Sequence, residues 1–153
     1  MSSQTGRTYI VPQGGSCESS NLVYLITCSV CTKQYVGQTL RPLRERLREH
    51  FRYITQKTDQ QPLGRHFAQP NHNGLQIQVQ ILEYIQTPPR LERTKQLRED
   101  REKHWIHQLR SIEPFGLNIM GKWAHLLCLI LNFYYRVHFP LICTPFYWQI
   151  FVQ

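Results

Sequence analysis

The sequence predicts a small α/β domain of the α+β kind, with a mostly antiparallel three-stranded sheet flanked by helices. Three observations predict it. Two short apolar runs, residues 21–27 (NLVYLIT) and 34–38 (QYVGQ), stand on either side of a Cys-x-x-Cys, close enough to pair as a hairpin. A third run, 75–85 (LQIQVQILEYI), alternates apolar and polar with the period of a half-buried strand. Between and after these lie segments of helical period, at 43–53 and 91–111. The order is strand, strand, helix, short helix, strand, helix. Helices set against an antiparallel sheet are how so short a chain closes one core.

Residues 1–20 are rich in Ser, Gly and Gln and predict a flexible polar arm. The first run is apolar and β-branched on both faces, as a buried strand must be. Cys28 and Cys31 fall in the hairpin turn, and Gly37 closes the second strand. Thr39 is placed to cap the next helix, with Pro42 in its first turn. Leu43, Leu47 and Phe51 then recur at i, i+4 and i+8 on one face. Residues 55–74 are polar, with two Pro and two Gly, and predict loop with a short helix at 63–67. Pro88 and Pro89 break the chain after the third strand. The last helix is highly charged until Trp105, Ile106 and Leu109 supply an apolar stretch. Residues 114–118 (PFGLN) read as a turn, with room for a short strand after it. No internal repeat is present.

Composition divides the chain. Lys and Arg number 18 against 10 Asp and Glu, a formal charge of +8, with 41% apolar and 12% aromatic residues. Residues 123–153 hold 9 of the 18 aromatics and a single charge, Arg136, so the first 122 residues carry +7. Three domains are expected: the arm 1–20, a folded domain 21–120 and an apolar tail 121–153. Whole-chain disorder and a large multidomain enzyme are excluded by these numbers. Five cysteines, an odd count that includes a Cys-x-x-Cys, and the lack of a signal-like opening argue against a disulfide-stapled secreted domain. The longest tail run free of charge and proline, 123–135, is shorter than the roughly 20 residues of a membrane span. The tail is expected to be a non-homologous extension. A membrane anchor and a partner-binding segment are the rival readings.

Several residues carry chemistry. Tyr24 and Tyr35 lie in the first two strands. Arg46 and His50 stand four apart on one helix face. Glu102 lies three and four residues before Trp105 and Ile106, so it falls near the apolar stripe, where a carboxylate needs a cation. Asn118 follows the turn. Each has a plain alternative: strand packing for the tyrosines, a solvated basic face for Arg46 and His50, a surface pair with Arg98 for Glu102, a turn residue for Asn118. It is the order these residues share with a known family that favours the chemical reading.

In that order the residues resemble a GIY-YIG nuclease domain. Leu22-Val23-Tyr24 stands for GIY and Tyr35-Val36-Gly37 for YIG. Arg44-Glu-Arg46-Leu-Arg-Glu-His50-Phe51 resembles the family's Arg-bearing helix, Glu102-Lys-His-Trp105-Ile106 its metal-binding segment, and Gly116-Leu-Asn118 its late Asn. The resemblance spans about 100 residues and departs from the family at Leu22-Val23. It implies the GIY-YIG fold and a metal-dependent DNA endonuclease that nicks phosphodiester bonds. Tyr24 would be the base, Tyr35 the positioner of water, Arg46 a phosphate fork, His50 a proton or phosphate group, and Asn118 an organiser. Glu102 would hold Mg²⁺ or Mn²⁺. An unperturbed phenol, with a pKa of about 10, is a poor base unless a cation lowers it.

The stretch NLVYLITCSVCTKQYVGQT is further similar to the endonuclease domain of Penelope-like retroelements, which implies a reverse transcriptase upstream and a nuclear, intracellular setting. Cys28, Cys31, His66 and His72 form a candidate closed, structural zinc set, with Cys17 as a rival ligand. Arg41, Arg44, Arg48, Lys95, Arg98, Arg101 and Lys103 are expected to form a surface that tracks DNA phosphates. No base-reading motif accompanies them, and no membrane partner is expected. Two alternatives from other classes remain: an inactive, zinc-stabilised nucleic-acid-binding module, and a structure-specific DNA repair nuclease.

Overall fold

Strand β1 (Leu22–Cys28) is buried along almost its whole length, a pattern that suits a central strand covered on both faces. It pairs antiparallel with β2 (Gln34–Thr39) and with β3 (Ile77–Tyr84), giving the order β2-β1-β3. The computed structural model describes residues 14–86 and 91–119, together with residues 6, 8, 10 and 12. The chain divides into two units, Met1–Ile119 and Met120–Gln153, and the described residues belong to the first. The readings placed on the tail, on Pro88 and Pro89 and on most of residues 1–13 lie outside the described residues. Among the described residues no helix is long and apolar enough to cross a membrane.

Alternation along β1 builds two cores. Leu22, Tyr24, Ile26 and Cys28 face one side, where α1 (Leu43–Thr55) brings Leu43 and Ile54 and α2 (Pro62–Phe67) brings Leu63 and Phe67. Val23 and Leu25 face the other side with Val36, Leu82 and Ile85, under Trp105, Ile106 and Leu109 of α3 (Leu91–Leu109). The sheet is thus a middle layer with helices on both faces.

Three local expectations meet a different outcome. The buried stripe of α1 runs through Leu43, His50 and Ile54, and Phe51 is 43% exposed. With 3.6 residues per turn, each four-residue step rotates by about 40°, so Leu43–Leu47–Phe51 drifts off the core, whereas a seven-residue step returns to within about 20°. Thr39 does not cap α1, because its hydroxyl donates to the Arg41 carbonyl. The helix start is closed instead by the carbonyls of Ser19 and Cys17, which accept from the Leu43 and Arg44 N–H groups at 2.9 and 2.8 Å. Residues 14–20 are therefore tied to the domain: Glu18 pairs with Arg44, and Tyr84 Oη donates to Ser19 Oγ at 3.2 Å. Finally, β3 begins at Ile77, because Asn73 and Gln76 form a reciprocal capping box around a single 3₁₀ turn, Gly74–Gln76, that leaves Leu75 exposed.

Candidate active site and metal centre

Tyr24, Tyr35 and Gly37 share the α1 face of the sheet, with Gly37 directly opposite Tyr24 in the register. That pairing makes glycine necessary. A Cβ on Gly37 would lie 2.5 Å from Tyr24 Oη and 3.0 Å from Tyr35 Cε1. The Tyr24 ring therefore lies across bare backbone and carries its hydroxyl to α1, where it meets His50 Nε2 at 2.7 Å and accepts from Arg46 Nε at 3.3 Å. Since Arg46 donates to the phenol oxygen, the phenol's own hydrogen is left for His50. Tyr35 meets the same imidazole edge-on, with ring centroids 5.5 Å apart.

Glu102 reaches this group from the opposite face. It lies on α3, against the β2 edge, where the Gln38 backbone N–H supports its carboxylate. Burial nevertheless pushes its pKa up to about 7, with Arg46 pulling the other way and Glu99 adding to the rise. Both tyrosines respond to its charge. Among the described residues it has no ion-pair partner, so the alternative of a surface pair with Arg98 is not realised. Burial, and then Arg46, lower His50 to about 4, which keeps it neutral near pH 7 with Nε2 able to accept. Burial raises both phenols.

Five of the sequence-expected residues therefore converge: Tyr24, Tyr35, Arg46, His50 and Glu102. Asn118 stands apart. Its amide exchanges two 2.8 Å hydrogen bonds with the backbone of Val36, and its Oδ1 also accepts from Ser111 at 2.7 Å. It clips the chain after the turn onto β2 between Tyr35 and Gly37, which is an organiser's place and not a catalyst's.

The metal set assembles as expected, without Cys17. One ligand atom from each of Cys28, Cys31, His66 and His72 lies within 4.8 Å of the others. Cys31 Sγ and His66 Nε2 are 3.5 Å apart, equal to the edge of about 3.5 Å for a tetrahedron with zinc's usual sulfur and nitrogen distances. His72 Nδ1 lies 3.1 Å from the Pro70 carbonyl, which leaves Nε2 as a buried atom without a hydrogen-bond partner. A carbonyl holding one ring nitrogen while the other faces a ligand is the arrangement of a metal-bound histidine. The cluster fits zinc. Cys17 is exposed and serves through its backbone carbonyl at the α1 start.

The expected phosphate-tracking set is divided by the fold. Arg98 is a correction: it is 6% exposed and donates to Gln38 Oε1 at 3.0 Å and Asn21 Oδ1 at 3.1 Å. Its place on the inner face of α3, opposite the β2 edge, makes it a structural clamp. Arg101 is bound to Glu83, which also accepts from Trp105 Nε1. Arg41 pairs with Glu49, Arg44 with Glu18, and Lys95 and Lys103 with acidic neighbours on α3. Arg48 is exposed. Sequence reasoning missed Glu49, Gln38 and Ser111 as supports. Glu49 was legible only as a residue three along from Arg46, and Ser111 carried no signal at all.

Comparison with known proteins bears on this geometry. A family model described as the GIY-YIG catalytic domain matches residues 20–118. The catalytic domain of the homing endonuclease I-TevI is similar at 27% identity, over 65% of this chain and 97% of that one, with a TM-score of 0.49. A mutant of that intron endonuclease's catalytic domain is also 27% identical, over 64% of this chain and 91% of that one, with a TM-score of 0.51. No curated protein matches the chain.

Proposed function

Because this chain belongs to the family of GIY-YIG catalytic domains and is a nuclease, we propose that it is a divalent-metal-dependent endonuclease that nicks DNA, derived from a Penelope-like retroelement. The observation that carries the metal-dependent reading is the convergence of Arg46, His50 and both tyrosines with Glu102, a half-buried carboxylate that has no ion-pair partner among the described residues.

Hydrolysis forms a bond from a water oxygen to phosphorus and breaks a bridging P–O bond. The water's proton must leave, and charge grows on the phosphoryl oxygens. Arg46 has N–H groups free beyond those given to Tyr24 and Glu49, and these suit a phosphate oxygen. Glu102 fits a hard cation because it offers carboxylate oxygen where burial already disfavours an uncompensated charge. When bound, Mg²⁺ or Mn²⁺ neutralises phosphate charge and replaces a negative field at the phenols with a positive one. The roles are those the resemblance implies, Tyr24 as the base and Tyr35 as the positioner of water. The Tyr24 hydroxyl lies between Arg46 Nε and the neutral His50 Nε2, so the water's proton passes to the phenol oxygen as the phenol's own proton passes to His50. Tyr35, partly buried beside the same imidazole, positions the attacking water. Asn118 holds that strand in place.

Plasmid nicking in Mg²⁺ or Mn²⁺ tests the reading, with wild type beside Arg46→Ala and Glu102→Ala. Loss of nicking in both variants supports it. Equal nicking in all three preparations removes the catalytic assignment, and no nicking by any of them favours the inactive zinc-stabilised module. The retroelement origin predicts a reverse transcriptase reading frame upstream on full-length transcripts; its absence there would refute that origin.

A further inference from the structure

We propose that Glu49 is a positioning residue for the nuclease reaction: held by Arg41, it fixes the Arg46 guanidinium against Tyr24 with its remaining N–H groups aimed at the phosphate. This rests on Arg46 being the phosphate ligand.

Arg46 donates from Nε to Tyr24 Oη at 3.3 Å and from Nη1 to Glu49 Oε2 at 2.7 Å. A guanidinium has five N–H groups on a rigid fork. Two are engaged, and the three that remain lie on the Nη ends. Those ends form the edge that grips two phosphate oxygens. Of the two contacts, the one to Glu49 is short and charge-assisted, while the one to Tyr24 is long. Without Glu49, a flexible side chain would hang on one weak bond beside the reacting phosphate.

Glu49 cannot turn away freely, because Arg41 binds its other oxygen, Oε1. Hydrogen bonds from Arg41 and Arg46 hold its carboxyl below the usual carboxylate range, so it stays charged. The order of contacts is therefore Arg41, Glu49, Arg46, Tyr24, His50, which joins an exposed surface arginine to the buried imidazole. Glu49 sits next to His50 on α1, so one helix turn presents both the phosphate fork and its support.

Single-turnover nicking by the full chain, with enzyme in excess over plasmid, reads the rate constant separately from half-saturation. It is measured for wild type, Glu49→Ala, Arg46→Ala and the double variant. Alanine suits this outer helix position, so folding is retained. We expect Glu49→Ala to lower the rate constant by roughly 10- to 100-fold, the scale of an ångström's misplacement, with half-saturation within about threefold. In the Arg46→Ala background the same change should cost nothing further, since the two act as one unit. A further loss of the same size in that background would overturn the proposal. So would a kept rate with tighter DNA binding, because Glu49 would then be competing with phosphate. Wild-type nicking by Arg46→Ala would instead overturn the underlying assignment, and this proposal with it.

Discussion

Replacing Gly37 by alanine places one methyl group where the Tyr24 phenol now lies. The added Cβ would be 2.5 Å from Tyr24 Oη, 2.6 Å from Tyr24 Cζ and 3.0 Å from Tyr35 Cε1. Ordinary contact begins near 3.4 Å, so the ring must withdraw by about 1 Å. It has no solvent to withdraw into, because Tyr24 is 0% exposed. The 2.7 Å bond to His50 and the bond from Arg46 both lie at the displaced end. Overpacking of this kind costs about 1–3 kcal/mol, and a buried imidazole left without its partner adds a similar amount. For a domain of this size the unfolding midpoint should fall by roughly 10–30 °C. Catalysis should fall by about 100-fold, as an ångström of misplacement does. Thermal unfolding and plasmid nicking, with Tyr24→Phe as the variant that removes only the hydroxyl, measure the two effects. A Gly37→Ala protein with a wild-type midpoint and nicking within about threefold of wild type would refute the reasoning.

Zinc removal by a chelator, or Cys28→Ser, should lower the unfolding midpoint by roughly 10 °C, because the Cys28–His72 cluster ties the segment after α1 to the hairpin; metal-free protein with an unchanged midpoint would contradict this. His50 at about 4 lies below the ordinary 6.5, so as pH falls the unfolded chain takes up the proton first. The stability it contributes is whole above about 6.5 and drains between there and about 4, on the order of 3 kcal/mol. Unfolding curves across that window should be flatter for His50→Gln, and parallel curves would exclude the account. Arg98→Met should cost about 2 kcal/mol of stability by removing the hydrogen bonds that Arg98 donates to Gln38 Oε1 and Asn21 Oδ1, with no change in the salt dependence of DNA binding. Arg48→Ala should leave stability alone and reduce the salt slope by about 0.9. Reversal of these two outcomes would show that Arg98 faces DNA.

Strands and helices were legible because each carries its period openly: the doubly apolar β1, the alternating β3, the charged α3 with its apolar end. The site residues were legible as types in an order. Their partners were not. The apolar pattern put Phe51 in the core, yet helix rotation leaves it 43% exposed and turns His50 inward at 5% exposure. Thr39 looked like a cap, yet carbonyls at positions 17 and 19, more than twenty residues earlier, close the helix.

The sequence by itself determined the three strands and the antiparallel hairpin, and it narrowed the metal ligands to Cys28, Cys31, His66 and His72 with Cys17 as a rival, and the site to candidates that include the five residues that converge. The strands rest on local periodicity, the metal ligands on spacing and residue chemistry, and the site residues on the order of motifs that resembles the GIY-YIG family. Only the tertiary structure decided which cations are free, that Arg98 is a buried clamp, that Asn118 grips backbone, that Glu49 holds Arg46, and that Gly37 exists to admit Tyr24. Each of these depends on what lies opposite a residue across the sheet or between helices. A linear pattern encodes the face a side chain takes, and packing alone sets the group it meets there.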